Sequence, residues 1–133
     1  MAEQKACSCG KIQYNLVFAC SGAADVGAVT DLAARELARE KTASMCCTAA
    51  IAAEIPDILE KAAFVAGIVV LDGCDKACAK AILDRGGFAD YAYVELGAAG
   101  MEKGKTPVSE ESVARAAAVA REALANHNAE ETT

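Results

Sequence analysis

The sequence lacks the segments that carry a chain into or across a membrane. Residues 1–5 do not have the basic and then apolar layout of a signal peptide. The longest apolar run, residues 62–71, is far shorter than the ~20 residues that a membrane-spanning helix needs. We therefore expect a cytoplasmic protein that has no membrane partner.

Positive charge is scarce as well. Lysine and arginine number 13 against 19 aspartates and glutamates, which gives a formal net charge of -6. No stretch rich in lysine or arginine stands out along the chain. Because binding to a nucleic acid depends on basic side chains that neutralise phosphates, we expect no nucleic acid partner.

Several patterns of catalytic and cofactor-binding sites are missing. The chain has no G-x-G-x-x-G for a dinucleotide and no C-x-x-C for a thioredoxin-type redox pair. Its one histidine, His127, lies in a polar segment, so a Cys–His nucleophile pair is not expected. Residues 104–106 imitate the end of a phosphate-binding loop, but Ala99 replaces the required earlier glycine, which predicts a surface turn.

Cysteine, by contrast, is abundant. An odd number of cysteines cannot pair fully within one chain. In a reducing compartment such a set more often binds metal or performs thiol chemistry than forms disulfides. The seven are Cys7, Cys9, Cys20, Cys46, Cys47, Cys74 and Cys78.

Strand-like and helix-like segments alternate along the chain. Residues 66–71 are continuously apolar, as in a buried strand, whereas residues 26–40 repeat apolar side chains at helical spacing. Asp75 and Ser109 are predicted N-caps. The predicted strands are 12–19, 42–46, 66–71 and 91–96, and the predicted helices are 26–40, 56–61, 75–85 and the segment after Ser109.

This alternation predicts an α/β protein with a three-layer Rossmann-like fold. We expect a mostly parallel sheet of about four strands with helices on both faces. The length of 133 residues fits one domain, predicted at residues 11–126. Residues 1–10, with their Cys-x-Cys, and residues 127–133 are predicted to be flexible tails.

Five of the cysteines map to one edge of the predicted sheet. Cys20 follows the first strand, Cys46 and Cys47 end the second, and Cys74 follows the third, with Cys78 four residues later. In open α/β sheets the carboxyl ends of the strands form the edge where ligands bind. The pattern predicts a cysteine cluster at this edge, although a single cysteine is also a common small core residue.

The cysteines at positions 74 and 78 have a spacing that suits a metal site. At the start of a helix, residues four apart point to one side, and the helix N-terminus stabilises thiolates. Zinc commonly takes four thiolate ligands. Nearby cations that would offset such a cluster are Lys76, Lys80 and Arg85.

Three segments resemble the DGC-domain family of zinc-binding proteins. Residues 69–79 (VVLDGCDKACA) are similar to the family's Asp-Gly-Cys signature. Residues 19–27 (ACSGAADVG) look like its first cysteine loop, and residues 45–51 (MCCTAAI) like its second cysteine segment. The three segments occur in the family's order.

The resemblance implies a zinc ion held by Cys20, Cys47, Cys74 and Cys78, and it implies no established reaction. Cys46 is an additional thiol that can replace Cys47 as the ligand. The sequence departs from the family in one respect, since alanines stand where the family usually has glycines after the second cysteine. These alanines are Ala50, Ala52 and Ala53.

The alternatives stay open at this point. The sequence favours a metal-binding module over an enzyme. A zinc- or thiol-dependent enzyme that performs sulfur or redox chemistry would also account for the surplus cysteines. Four cysteines equally suit an iron–sulfur cluster. Cys7 and Cys9 are either spare thiols or additional ligands. The aspartates near the cysteines, predicted as helix caps or as acceptors beside the ligands, are Asp25, Asp72 and Asp75.

Overall fold

The computed structural model describes residues 12–131, which form an α/β fold around a parallel sheet. The predicted tail with Cys7 and Cys9 lies outside these residues. The strands are β1 (Ile12–Ala19), β2 (Ser44–Met45), β3 (Val65–Asp72) and β4 (Ala92–Glu95). The helices are α1 (Asp25–Arg39), α2 (Thr48–Ala52), α3 (Pro56–Phe64), α4 (Cys78–Arg85) and α5 (Glu110–Glu131).

The four described strands lie in the order β2-β1-β3-β4, and all three pairs are parallel. The chain moves from β1 outward to β2 and then crosses back to β3 on the other side of β1. The direction of winding therefore reverses between β1 and β3. Such a reversal opens a crevice at the carboxyl ends of the two strands, where α/β proteins bind ligands.

Alternating side chains of the central strands fill two separate cores. On one face Val17 and Val69 pack with α1 and α5, and on the other Leu16 and Ile68 pack with α2, α3 and α4. The period of two follows from the pleat of a strand, which points successive side chains to opposite faces. The predicted α/β fold with helices on both faces is confirmed.

The second strand is shorter than predicted, and a helix that follows it was not predicted. Only Ser44 and Met45 pair with β1, because Thr42 and Ala43 instead donate their N–H groups to the Leu37 carbonyl at the end of α1. Helix α2 then has only five residues, too few for a periodic pattern to indicate it.

The last helix is longer than predicted. Its start is as expected, since the Ser112 N–H donates to Ser109 Oγ at 3.1 Å. However, α5 runs to Glu131 and includes residues 127–131, which lie in the predicted flexible tail. A side-chain hydrogen bond joins its final turns to the sheet, since Asn128 Nδ2 donates to Asn15 Oδ1 at 3.2 Å.

None of the helices within residues 12–131 has the length and apolar character required to span a bilayer.

Candidate functional site

An open pocket of about 410 Å³ lies at the carboxyl edge of the sheet. Its walls come from the loop after β1, the start of α1 and the segment between β3 and α4. A fourth element, the loop between β4 and α5, adds Lys103. Three of the predicted ligands, Cys20, Cys74 and Cys78, line this pocket. The structure thus brings together thiols that are separated by more than fifty residues of sequence.

Cys20 is held in place by the backbone around it. Its N–H donates to the Leu71 carbonyl at 2.9 Å, and the buried Thr30 hydroxyl lies 2.5 Å from the Cys20 carbonyl. Burial raises the pKa of the Cys20 thiol, a hydrogen bond with the Gly22 backbone opposes this, and the negative charge of Asp72 adds to the increase. Cys20 therefore stays protonated at neutral pH unless a cation binds beside it.

The segment between Cys74 and Cys78 is not the start of a helix, contrary to prediction. A turn separates them, in which the Ala77 N–H donates to the Cys74 carbonyl at 3.1 Å and Ala77 has a left-handed φ of 52°. Helix α4 therefore begins at Cys78 rather than at Asp75. The turn still leaves both thiols facing the pocket.

Asp72, not Asp75, caps helix α4. The Asp72 side chain is buried, and its carboxylate accepts the N–H groups of Ala79 at 2.8 Å and Lys80 at 2.9 Å. The Tyr93 hydroxyl donates a third hydrogen bond at 3.0 Å. A carboxylate thus satisfies the amides that were predicted to stabilise thiolates.

The two adjacent cysteines differ in their surroundings. Cys46 is 7% exposed and packs in the core with Leu16 and Phe18, and burial raises the pKa of its thiol. Cys47 is exposed and directly precedes α2. The Thr48 hydroxyl donates to the Ala19 carbonyl at 3.0 Å, which places the start of α2 beside the end of β1. Neither cysteine is among the residues that line the pocket.

Two lysines supply positive charge to the pocket. Lys76 was predicted from the sequence, whereas Lys103 was missed because it belongs to a polar loop far along the chain. Lys80, the other predicted lysine, instead pairs with Asp84 at 2.9 Å. Only the fold, which returns the loop after β4 to this edge, identifies Lys103 as a site residue.

Asp25 fixes the loop that carries Lys103. Its carboxylate accepts the N–H groups of Gly104 at 2.9 Å and Thr106 at 3.0 Å, besides that of Val26 at 2.7 Å. These hydrogen bonds, led by that from Gly104, lower the pKa of Asp25. A carboxylate at the start of α1 therefore holds the loop against the pocket.

An Asp25→Asn substitution should loosen this loop. We expect hydrogen exchange of the Gly104 and Thr106 amides to accelerate by about tenfold, because a charged acceptor is replaced by a neutral one. Since the pKa of Asp25 is lowered in the folded state, the wild-type loop should stay protected above the ordinary carboxyl pKa. The protection of these amides from hydrogen exchange should be lost as the pH falls through the lowered pKa of Asp25. Equal exchange in both proteins at neutral pH would contradict this role.

The donor chemistry of the pocket suits a thiophilic metal, but the sulfur atoms are not at ligand spacing. Tetrahedral zinc with Zn–S bonds of about 2.3 Å needs sulfurs about 3.8 Å apart. Among the described residues, the cysteines form no group of three with all sulfur atoms within 4.8 Å of one another. Binding by these thiols therefore requires that the side chains approach one another.

Comparison with known proteins identifies the family. The sequence model of the DGC domain matches residues 16–120, which include all five described cysteines. The chain belongs to the DGC-domain family. It is similar to the "Anaerobic and virulence modulator AnvM" of Pseudomonas aeruginosa, with 32% identity over 88 residues that cover 66% of this chain and 67% of the relative. No solved structure is significantly similar to the chain.

Each residue of the Asp-Gly-Cys sequence of this DGC domain has a different structural role. Asp72 caps α4, as described above, and Cys74 lines the pocket. Gly73 allows α1 to approach β3, because a Cβ at this position would lie 2.8 Å from the backbone carbonyl carbon of Val26. The three residues together position the turn that presents Cys74 and Cys78.

Proposed function

We propose that this DGC domain is a metal-binding protein that holds a zinc ion with the thiolates of Cys20, Cys47, Cys74 and Cys78. The observation that carries the proposal is the convergence of three of these thiols on one pocket. This pocket lies where the winding of the sheet reverses, the place where α/β proteins bind ligands.

The fourth ligand is assigned to Cys47 rather than Cys46 on the basis of exposure. Moving Cys46 to the pocket would remove a side chain from the core formed with Leu16 and Phe18. Cys47 is exposed, and the Thr48–Ala19 hydrogen bond anchors its helix near Cys20. Rotation of an exposed side chain costs much less than opening a packed core.

Charge in the pocket is compatible with this ligand set. Zinc with four thiolates carries a formal charge of -2, which Lys76 and Lys103 are placed to offset. The raised pKa of Cys20 is unfavourable for a free nucleophilic thiolate, whereas a bound cation favours deprotonation. These features support a metal ligand more than a catalytic nucleophile.

We propose a sensing or delivery role for the site rather than catalysis. When bound, zinc would hold the thiolates in one closed site that connects the ends of β1 and β3 to the start of α4. The name of AnvM describes that protein as a modulator, which agrees with a role of this kind. The five described cysteines are all free, and we propose a cytoplasmic location, where thiols remain reduced.

Native mass spectrometry combined with elemental analysis tests the proposal. Protein purified anaerobically, without added metal, is expected to carry one zinc ion per chain. Serine substitution of any of the four ligands should remove or strongly weaken binding, because the hydroxyl of serine is a poor zinc ligand. The four variants are Cys20→Ser, Cys47→Ser, Cys74→Ser and Cys78→Ser.

Cys46→Ala is the matched control, since it removes a thiol one residue from a proposed ligand. It should retain the metal while losing about 1 kcal/mol of stability from the small core cavity. Iron with inorganic sulfide would instead indicate a cluster protein. Absence of metal, with no uptake of zinc by the reduced chain, would refute the proposal.

A further inference from the structure

A second group of metal-ligating side chains lies away from the thiol pocket. Asp90, His127 and Glu131 each offer a ligand atom, and these atoms all lie within 4.8 Å of one another. Within residues 12–131 this is the only group of three or more such side chains with that spacing. None of the three lines the thiol pocket.

Two elements distant in sequence create this group. His127 and Glu131 are four residues apart on α5, so their side chains project from the same face of the helix. Asp90 comes from the segment between α4 and β4, and its Oδ1 lies 2.8 Å from His127 Nε2. The His127 side chain is only 19% exposed, although the segment is polar, and is therefore held in position.

An ordinary ion pair explains Asp90 and His127 but not Glu131. With the carboxylate of Glu131 included, the three side chains together carry a formal charge of -2 if the imidazole is neutral, or -1 if it is protonated. Among the described residues, neither Asp90 nor Glu131 pairs with a lysine or arginine. Within the part of the chain that the structure describes, the group therefore has an excess of negative charge that a divalent cation would neutralise.

We propose that Asp90, His127 and Glu131 form a second metal site, which binds a first-row divalent ion. One imidazole nitrogen and two carboxylate oxygens are ligands that such ions accept, with water completing the coordination. Glu131 is exposed, so its side chain is free to close the remaining distance. His127 would bind the ion through an unprotonated ring nitrogen, because a ligating imidazole must be neutral.

This second site does not depend on the thiols. Its ligands are nitrogen and oxygen atoms, which suit Mn²⁺, whereas thiolates select softer ions such as zinc. The two sites can therefore be separated by the choice of metal and by the position of the response in the chain. A negative result for one site therefore leaves the proposal for the other site unaffected.

An NMR titration tests the second site. The full chain is labelled with ¹⁵N and Mn²⁺ is added stepwise. Paramagnetic broadening is expected first at the amides of residues 90, 127 and 131, with saturation at one equivalent. His127→Gln, Asp90→Asn and Glu131→Gln should each weaken binding by at least about tenfold, since each removes one of three protein ligands. These substitutions preserve side-chain size, and the NMR spectrum itself reports whether each variant is folded.

Glu122→Gln is the matched control, because it removes an exposed carboxylate from the same helix and should leave binding unchanged. Broadening at residues 20 and 74–78 would report on the thiol pocket and is recorded separately. Wild-type protein without localised broadening at millimolar Mn²⁺ would overturn the proposal. So would equal broadening in wild type and variants, which would leave His127 and Asp90 as an ion pair only.

Discussion

Replacement of Asp72 by alanine is expected to lower the free energy of unfolding by about 3–5 kcal/mol. The side chain is 1% exposed and accepts hydrogen bonds from Ala79, Lys80 and Tyr93. Alanine would leave the buried Ala79 amide, and the partly buried Lys80 amide and Tyr93 hydroxyl, without their acceptor. Each such unsatisfied group costs about 1–3 kcal/mol, and relaxation and entering water reduce the sum.

Urea denaturation of the reduced, metal-free protein measures this effect without a contribution from the thiol site. Tyr93→Phe is the control, because it removes one of the three hydrogen bonds and should cost only about 1 kcal/mol. Asp72→Asn should fall between the two, since the amide keeps one oxygen as an acceptor. An Asp72→Ala protein within 1 kcal/mol (about one ordinary hydrogen bond) of wild type would show that Asp72 does not anchor α4.

Gly73→Ala is the substitution with the second large expected effect. It should lower the free energy of unfolding by about 2–3 kcal/mol. The cause is a steric clash rather than an unfavourable backbone conformation, because the added Cβ would lie 2.8 Å from both the carbonyl carbon and Cγ2 of Val26. To accept the methyl group, the start of α1 must move away from β3. Since that same helix start lines the pocket, the shift should also disturb the thiol site.

Gly22→Ala provides the control for Gly73→Ala, because it adds the same methyl group beside the same pocket. Its nearest neighbour is the Cys20 sulfur at 3.2 Å, a side-chain atom that can rotate, so the expected cost in urea denaturation is under about 1 kcal/mol. Val26→Ala in the Gly73→Ala background should restore only part of the loss, since the backbone contact remains. Full recovery would contradict the proposed backbone clash.

The sequence was sufficient to predict the parts of the fold that depend on local pattern. The apolar residues of β1 and β3 and the helical spacing of α1 predicted those elements to within one or two residues. The start of α4 was predicted wrongly because its cap, Asp72, is not a neighbour along the helix. It reaches the amides of Ala79 and Lys80 across a turn, and no local propensity encodes that contact.

The candidate site was predictable only in part, for a similar reason. Alternation of strands and helices was enough to place Cys20, Cys74 and Cys78 at one edge, and in the structure these three residues line one pocket. It was not enough to separate the core residue Cys46 from the exposed Cys47, since both follow the same strand. Distances between sulfur atoms depend on turn geometry and rotamers, which a sequence pattern does not specify.

Anaerobic titration of the reduced chain with Co²⁺ tests the central proposal of a thiolate metal site most directly. Cobalt replaces zinc in tetrahedral sites, and its bonds to thiolates give charge-transfer absorption in the near ultraviolet. We predict that this absorption saturates at one equivalent, is lost in Cys74→Ser, persists in Cys46→Ala and is displaced by zinc. A titration that yields no thiolate-to-cobalt absorption would contradict the proposal and leave the pocket cysteines as free thiols.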